Sequence, residues 1–166
     1  GLKLAVTICE DIWNIDENPL YVKNPMEELS KDKPDMVINI AASPFHYKQA
    51  AIRKQVYREN ALKYEIPVVY VNHVGAQTEL LFDGGSFVMN SHGAIVHELN
   101  YFDEDFAVVE ASQIIENDQE AGEISQDEKI PIIHDALIMG IRNYFRKLGF
   151  DKAILGLSGG IDSAVT

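Results

Sequence analysis

Ser158-Gly159-Gly160-Ile161-Asp162-Ser163 follows the apolar run Ala153-Ile154-Leu155-Gly156-Leu157 near the end of the 166-residue chain. A short buried strand there delivers the chain to paired glycines, where no side chain blocks close approach to the backbone. A helix beginning after them turns its free amide hydrogens back into the turn. The product is a cradle for an anion, most naturally a phosphate. Ser158 and Ser163 add hydroxyl donors. Asp162 has the wrong charge for direct phosphate binding, so its expected work is to hold the loop, orient a donor or help bind Mg²⁺. The competing reading is a ligand-free turn, because Ser, Gly and Asp are ordinary turn residues. A Walker loop is excluded: Gly-x-x-x-x-Gly-Lys-[Ser/Thr] does not occur in the chain.

Cys9 is the second chemical feature. It ends a strand pattern and precedes Glu10-Asp11-Ile12-Trp13. A thiol at the point where a buried strand turns is presented like the nucleophile of a strand-turn elbow, and the next backbone amide can steady an oxyanion. On spacing alone, a lone Cys is more often a small buried apolar residue. His46 and His73 are available as bases, but nothing in the spacing sets either beside Cys9. His73, His92 and His97 show no metal-ligand spacing and read as loop or strand residues, so no metal site is assigned.

The elements that must position these groups alternate. Residues 2–8, 36–40 and 67–72 read as strands of one sheet. Pro25 to Lys31 reads as a short helix with Asn24 as its cap. Gln49 to Tyr64 reads as a longer helix that stops before Pro67. Ser86–Asn90 and Ala94–Glu98, joined by Ser91-His92-Gly93, look like a hairpin, and Phe106–Glu110 like a further strand. Residues 112–130 are acidic and weakly apolar and read as a linker. After Pro131, Ile133, Leu137, Ile141, Tyr144 and Leu148 recur at helical steps, with Gly149 as the C-cap.

Composition limits the function classes. A hydrophobic fraction of 46% supports a folded core. No apolar run reaches the ~20 residues of a membrane helix. The single Cys excludes an internal disulfide framework and suits the cytoplasm. The net charge is −12, and no Lys or Arg falls between Lys63 and Lys129, which argues against nucleic acid as a partner. The strand pattern is already under way at Gly1, and Thr166 closely follows the Gly-rich motif, so the chain reads as the middle of a longer protein.

The Ser158–Ser163 motif resembles the pyrophosphate loop of the ATP pyrophosphatases, which split ATP between its α and β phosphates and adenylate a substrate. Cys9-Glu10-Asp11-Ile12-Trp13 resembles the nucleophile segment of the nitrilase superfamily, in particular the glutaminase domain of the glutamine-dependent NAD⁺ synthetases. Asn39–His46, Tyr70–Gln77 and Glu79–Ser86 resemble further segments of that family in the same order. Ala41, Ala76 and Thr78, and Tyr47-Lys48-Gln49 after His46, depart from its usual pattern, which puts details of the glutamine contacts in doubt.

The resemblance implies an α/β fold. A partial nitrilase-like α-β-β-α sandwich over residues 1–111 is followed by the linker 112–130. Residues 131–166 then start a Rossmann-like adenine-nucleotide α-hydrolase domain with its first helix, strand and phosphate loop. It also implies a ligase that hydrolyses glutamine and spends ATP, with Mg²⁺, to amidate deamido-NAD⁺. Cys9 is then the nucleophile, and Glu10, Trp13 and Ser43 line the glutamine site. For Trp13 and Ser43, plain packing and a turn before proline weigh equally. Ser158, Gly159, Gly160, Asp162 and Ser163 hold the ATP pyrophosphate. The family's general-base Glu and oxyanion-stabilising Lys belong to segments preceding the nucleophile. The intact enzyme is expected to be a homo-oligomer, and the isolated chain to be inactive and to bind no nucleotide tightly. The competing readings are a stand-alone nitrilase-type amidase and a non-catalytic folded module.

Overall fold

A computed structural model describes residues 1–15, 22–125 and 128–166. Strands β1 (Leu4–Ile8), β2 (Met36–Ala41) and β3 (Val68–Asn72) pair in parallel, Thr7 beside Asn39 and Asn39 beside Tyr70. The expected hairpin forms as β6 (Phe87–Met89) and β7 (Ile95–Glu98) and joins β3 antiparallel, giving the sheet order β1-β2-β3-β6-β7. Parallel neighbours need crossover segments. Between β1 and β2 the crossover holds α1 (Pro25–Ser30), whose Asn24 side chain accepts from the Met26 amide at 3.0 Å. Between β2 and β3 it is α2 (Gln49–Tyr64), closed by Glu65 in the left-handed region.

One sheet face lies under α2. Ala50, Arg53, Val56, Tyr57, Asn60 and Ala61 make its buried stripe at helical spacing. Tyr57 belongs to the main core together with Val37, Val68, Tyr70, Phe87 and Met89. The Tyr57, Tyr70 and Phe87 rings sit 4.7 to 5.3 Å apart, in the range where aromatic pairs attract. The opposite face is also apolar. Met36 and Val88 are covered by Ile114, Val109 and Ala111, whereas Leu4, Val6, Ile8, Ile40 and Val71 are exposed. A sheet apolar on both faces is suited to layers on both sides.

Several expectations are corrected. Phe106–Glu110 is not a strand: Phe106 and Val108 are exposed and the segment pairs with no strand among the described residues, while Val109 packs against the cluster of Met36, Val88 and Ile114. Helix α3 (Ala111–Ile115), which buries Ile114, overlaps the start of the segment 112–130 without bearing on its role as a linker, and positions 126–127 lie outside the described residues. Residues 74–83 fold as a separate hairpin, β4 (Val74–Gln77) with β5 (Leu80–Asp83), turning at Thr78 with φ of 55°. Ala153–Leu157 forms no strand and stays exposed, because no neighbouring strand takes up its backbone groups.

Helix α4 (Lys129–Leu148) ends at Gly149, φ 69°, and the Phe150 amide donates back to the Phe145 carbonyl at 2.9 Å. Its buried residues are Ile132, Ala136 and Met139. The stripe marked in the sequence sits one step around the helix, and its Leu137, Ile141, Tyr144 and Leu148 remain exposed. The helix rests on the β4–β5 hairpin, where Lys147 Nζ donates to the Ala76 carbonyl and Gly140 lets Leu81 approach. A last helix, α5 (Ile161–Val165), follows Gly160. Among the described residues no helix is long and apolar enough to cross a membrane.

Candidate active site

The parallel part of the sheet delivers the ends of β1, β2 and β3 to one edge, where ligands sit in open α/β sheets. Cys9 is the first residue past β1. It opens a 3-10 turn, Cys9–Ile12, with φ of 48°. A non-glycine residue in the left-handed region costs about 1–2 kcal/mol and persists only where its surroundings enforce it. Three side chains do so here. Asp11 accepts from the Ile8 amide at 2.8 Å. Asn39 Nδ2 donates to the Cys9 carbonyl at 3.2 Å. Asn60 Nδ2 donates to the Ile12 carbonyl at 2.9 Å.

Cys9 opens onto a pocket of ≈ 160 Å³. Glu10, Trp13 and Ser43 line it, so the four residues marked in the sequence on the Cys9 side meet at one place. Ala41, Pro44, Gln49 and Tyr70 complete the lining. Trp13 also borders a wider cavity of ≈ 450 Å³ along α2, which is lined by Ala51, Gln55 and Glu59 and holds no nucleophile. Neither His46 nor His73 lines the Cys9 pocket.

A buried polar network supports the far wall. Arg53 Nη2 donates to Asp83 Oδ2 at 2.7 Å, and the two side chains are 1% and 0% exposed. Burial opposes the Arg53 charge, but the hydrogen bond to Asp83 and that carboxylate's charge outweigh it, so the Arg53 pKa rises. The other Asp83 oxygen accepts from Asn72 Nδ2 at 3.2 Å, and Asn72 Oδ1 accepts from the Ser43 amide at 3.0 Å. The chain Arg53–Asp83–Asn72 thereby fixes the backbone at Ser43. Burial pushes the Tyr70 hydroxyl well above its ordinary value, so it is protonated. Sequence reading missed Arg53, Asp83, Asn39, Asn60 and Tyr57. The available signal was a charged or polar residue on the apolar stripe of α2 or inside a strand.

The second group of marked residues lies elsewhere, at the end of the chain. Gly159 has φ of 84°, as the expected cradle needs, while Gly160 is extended at −85°. Ser158 and Ser163 Oγ atoms lie 3.0 Å apart, and Ser163 Oγ donates to the Gly160 carbonyl at 3.0 Å. Nothing lies within 4 Å of a Cβ placed on Gly159. Ser158, Gly159, Gly160 and Asp162 are exposed. Among the described residues no group of three or more His, Cys, Asp or Glu is arranged to hold a metal ion.

Comparison with known proteins bears on both regions. A glutamine-dependent NAD(+) synthetase from a Synechocystis strain is 37% identical over 99% of this chain, which covers 30% of that relative. The chain is homologous to glutamine-dependent NAD(+) synthetases over its full length. It spans about 30% of the length of the curated relatives it matches. The solved synthetase of Acinetobacter baumannii, in complex with ADP, superposes with a TM-score of 0.77 at 37% identity, over 99% of this chain and 30% of that one. The NAD synthase family model matches residues 133–166, which include the Gly-rich loop. An amidase of the nitrilase superfamily from Nesterenkonia AN1 shares the fold over 60% of this chain and 34% of its own, with a TM-score of 0.51 at 21% identity. The synthetase homology thus spans Cys9 and Ser163 alike.

Proposed function

We propose that this chain joins the later part of a glutaminase domain, residues 1–111, through the segment 112–130, to the start of an ATP-using synthetase domain, residues 131–166. The whole protein is a glutamine-hydrolysing NAD⁺ synthetase. The observation that carries the reading is Cys9, held at positive φ past the end of β1 and facing a pocket with Glu10, Trp13 and Ser43. The bare apolar face of Leu4, Val6, Ile8, Ile40 and Val71 supports a second sheet packed there, as in an α-β-β-α sandwich.

In this reading Cys9 Sγ attacks the side-chain amide carbon of glutamine while a general base takes the thiol proton. The tetrahedral intermediate collapses to a thioester and releases ammonia. Water then cleaves the thioester, yielding glutamate and the free thiol. Trp13 walls the glutamine side chain, and Ser43 bonds its amino or carboxylate end. At the other site Ser158, Gly159, Gly160, Asp162 and Ser163 cradle the pyrophosphate of ATP as it adenylates the nicotinate carboxylate of deamido-NAD⁺. Ammonia displaces AMP there. Mg²⁺, when bound, neutralises the pyrophosphate charge.

The test is Cys9→Ala in the full-length protein. Glutamine-driven NAD⁺ synthesis is expected to fall at least about 10³-fold, and synthesis from ammonium salts to stay near the parent rate, because only the ammonia supply is lost. Glutamine use at the parent rate by this variant rules the assignment out. A stand-alone amidase leaves Ser158–Ser163 unexplained and requires no ATP for any reaction.

A further inference from the structure

We infer that Asn39 is a positioning residue for Cys9: its buried amide holds the Cys9 carbonyl and keeps the nucleophile in the left-handed turn that presents its thiol. This rests on the assignment of Cys9 as the glutaminase nucleophile. The turn is not self-supporting. An L-residue at φ of 48° is disfavoured, and within the turn only Asp11, bonded to the Ile8 amide, helps to hold it; the remaining contacts come from outside the turn. Asn39 supplies the contact that reaches the Cys9 peptide itself, donating from Nδ2 to the carbonyl at 3.2 Å.

The amide has one usable orientation. Tyr57 donates its hydroxyl to Asn39 Oδ1 at 2.6 Å. The Nδ2 end must then face β1, where it also donates to Thr7 Oγ1 at 2.9 Å. Thr7 is the register partner of Asn39, so the parallel pairing puts the two side chains on one face. Tyr57 is locked between the Tyr70 and Phe87 rings, and burial keeps its hydroxyl protonated and donating. Tyr57, Asn39 and Thr7 are fully buried. The strand ladder is complete without them, since β1 and β2 pair through their backbones. An apolar residue at position 39 would fill the same core, so the polar chain adds orientation rather than burial.

The experiment compares Asn39→Leu, Tyr57→Phe and Met36→Ala in the full-length protein. Met36 sits on the opposite face of β2 and serves as a destabilised control. Measured for each are kcat and KM for glutamine, the ammonia-driven rate, the melting temperature, and iodoacetamide labelling of Cys9 followed on its peptide. For Asn39→Leu, kcat and the labelling rate should both fall about tenfold or more, with KM and the ammonia-driven rate within about twofold. Tyr57→Phe keeps the ring and frees only the amide to flip. It should lower the same two quantities about threefold, and it carries the test if Asn39→Leu does not fold. Met36→Ala should lower the melting temperature and leave the labelling rate unchanged. Unchanged kcat and labelling in the folded position-39 variant, or in Tyr57→Phe, overturns the inference. So does a loss no larger than Met36→Ala shows at equal melting temperature. If Cys9→Ala still uses glutamine, the Cys9 assignment itself has failed; if Cys9→Ala is dead and Asn39→Leu is fully active, only the role of Asn39 has.

Discussion

The Cys9 corner and the Ser158–Ser163 loop differ in how they are held. Cys9 sits in an unfavourable backbone conformation, and Asp11, Asn39 and Asn60 each bond a backbone group of its turn. Arg53, Asp83 and Asn72 fix the facing wall from inside the core. The loop also carries a left-handed residue, but that residue is glycine, and its polar contacts run mainly between its own serines and backbone. One region stores strain that the surrounding fold must enforce; the other needs no enforcement. Substitutions in the corner should therefore be felt as lost stability or lost Cys9 reactivity, and substitutions in the loop as lost ligand binding.

The largest break in that comparison is Asp83→Ala. It leaves the Arg53 charge buried without its Asp83 Oδ2 partner, and it removes one of the two bonds that orient the Asn72 amide behind Ser43, the other being to the Gly84 carbonyl at 2.9 Å. Removing one partner of a buried ion pair costs about 3–5 kcal/mol. A urea titration should show that loss, and glutamine-driven activity should fall with it. Replacing the pair together, Arg53→Met with Asp83→Leu, should recover much of the stability but only part of the activity, because Asn72 keeps its Gly84 bond and lacks its Asp83 bond. A midpoint for Asp83→Ala within experimental error of the parent would show that the ion pair does not hold the corner.

The next test separates two glycines at similar positive φ. A Cβ on Gly85, φ 61°, would lie 2.2 Å from the Tyr101 ring, which is tied to Glu98 by a 2.6 Å hydrogen bond. Gly85→Ala should cost about 1–3 kcal/mol from overpacking and left-handed strain together. Gly159→Ala meets nothing within 4 Å and should cost about 1 kcal/mol or less. Gly159→Val should nevertheless cut NAD⁺ synthesis from both glutamine and ammonia about a hundredfold, while basal glutamine hydrolysis persists, because the branched side chain occupies the space where phosphate must approach. Equal loss of stability at positions 85 and 159, or unimpaired synthesis in Gly159→Val, would remove the distinction between the regions.

What was legible in the sequence follows the same division. Local signals carried β1 to β3, α1, α2, the β6–β7 hairpin and the Gly149 cap, because strand alternation, the Asn24 cap and the halt before Pro67 are encoded by neighbouring residues. Phe106–Glu110 and Ala153–Leu157 carry strand composition, yet pairing is a property of the partner, and none is present. The β4–β5 hairpin turns at Thr78, which gives no glycine signal. The stripe on α4 was misplaced because the helix buries Ile132, Ala136 and Met139, while Leu137, Ile141, Tyr144 and Leu148 line an open groove beside Ala76 and Leu81. At the site, Cys9, Glu10, Trp13 and Ser43 were visible as a motif. Arg53, Asn39 and Asn60 were not, since each becomes meaningful only when a residue far along the chain is its partner.

The last test is a pH dependence that the corner should show and the loop should not. Burial raises the pKa values of Tyr57, Tyr70 and Tyr101 above the ordinary 10.0, and for Tyr101 the Glu98 hydrogen bond adds to the rise. These hydroxyls therefore stay protonated in the folded chain at a pH where the unfolded chain has begun to lose its tyrosine protons. The unfolded state then binds fewer protons, so stability must fall as pH rises. The contribution is complete below pH 10.0 and is drawn down above it, by about 1.4 kcal/mol per pH unit for each tyrosine still protonated in the fold. Lys63, raised chiefly by its Tyr64 hydrogen bond, acts in the same direction above its ordinary 10.5, but its side chain is half exposed to solvent and its share is small. Urea midpoints measured from about pH 8 to about pH 11.5 should be level at first and then decline. Tyr101→Phe removes one of the three groups and should make the decline shallower. The Ser158–Ser163 loop contains no tyrosine, so Ser158→Ala should leave the slope where it was. A midpoint that stays level through the alkaline range would mean that these tyrosines ionise as readily in the folded chain as in the unfolded one, and that the core behind Cys9 is open to water.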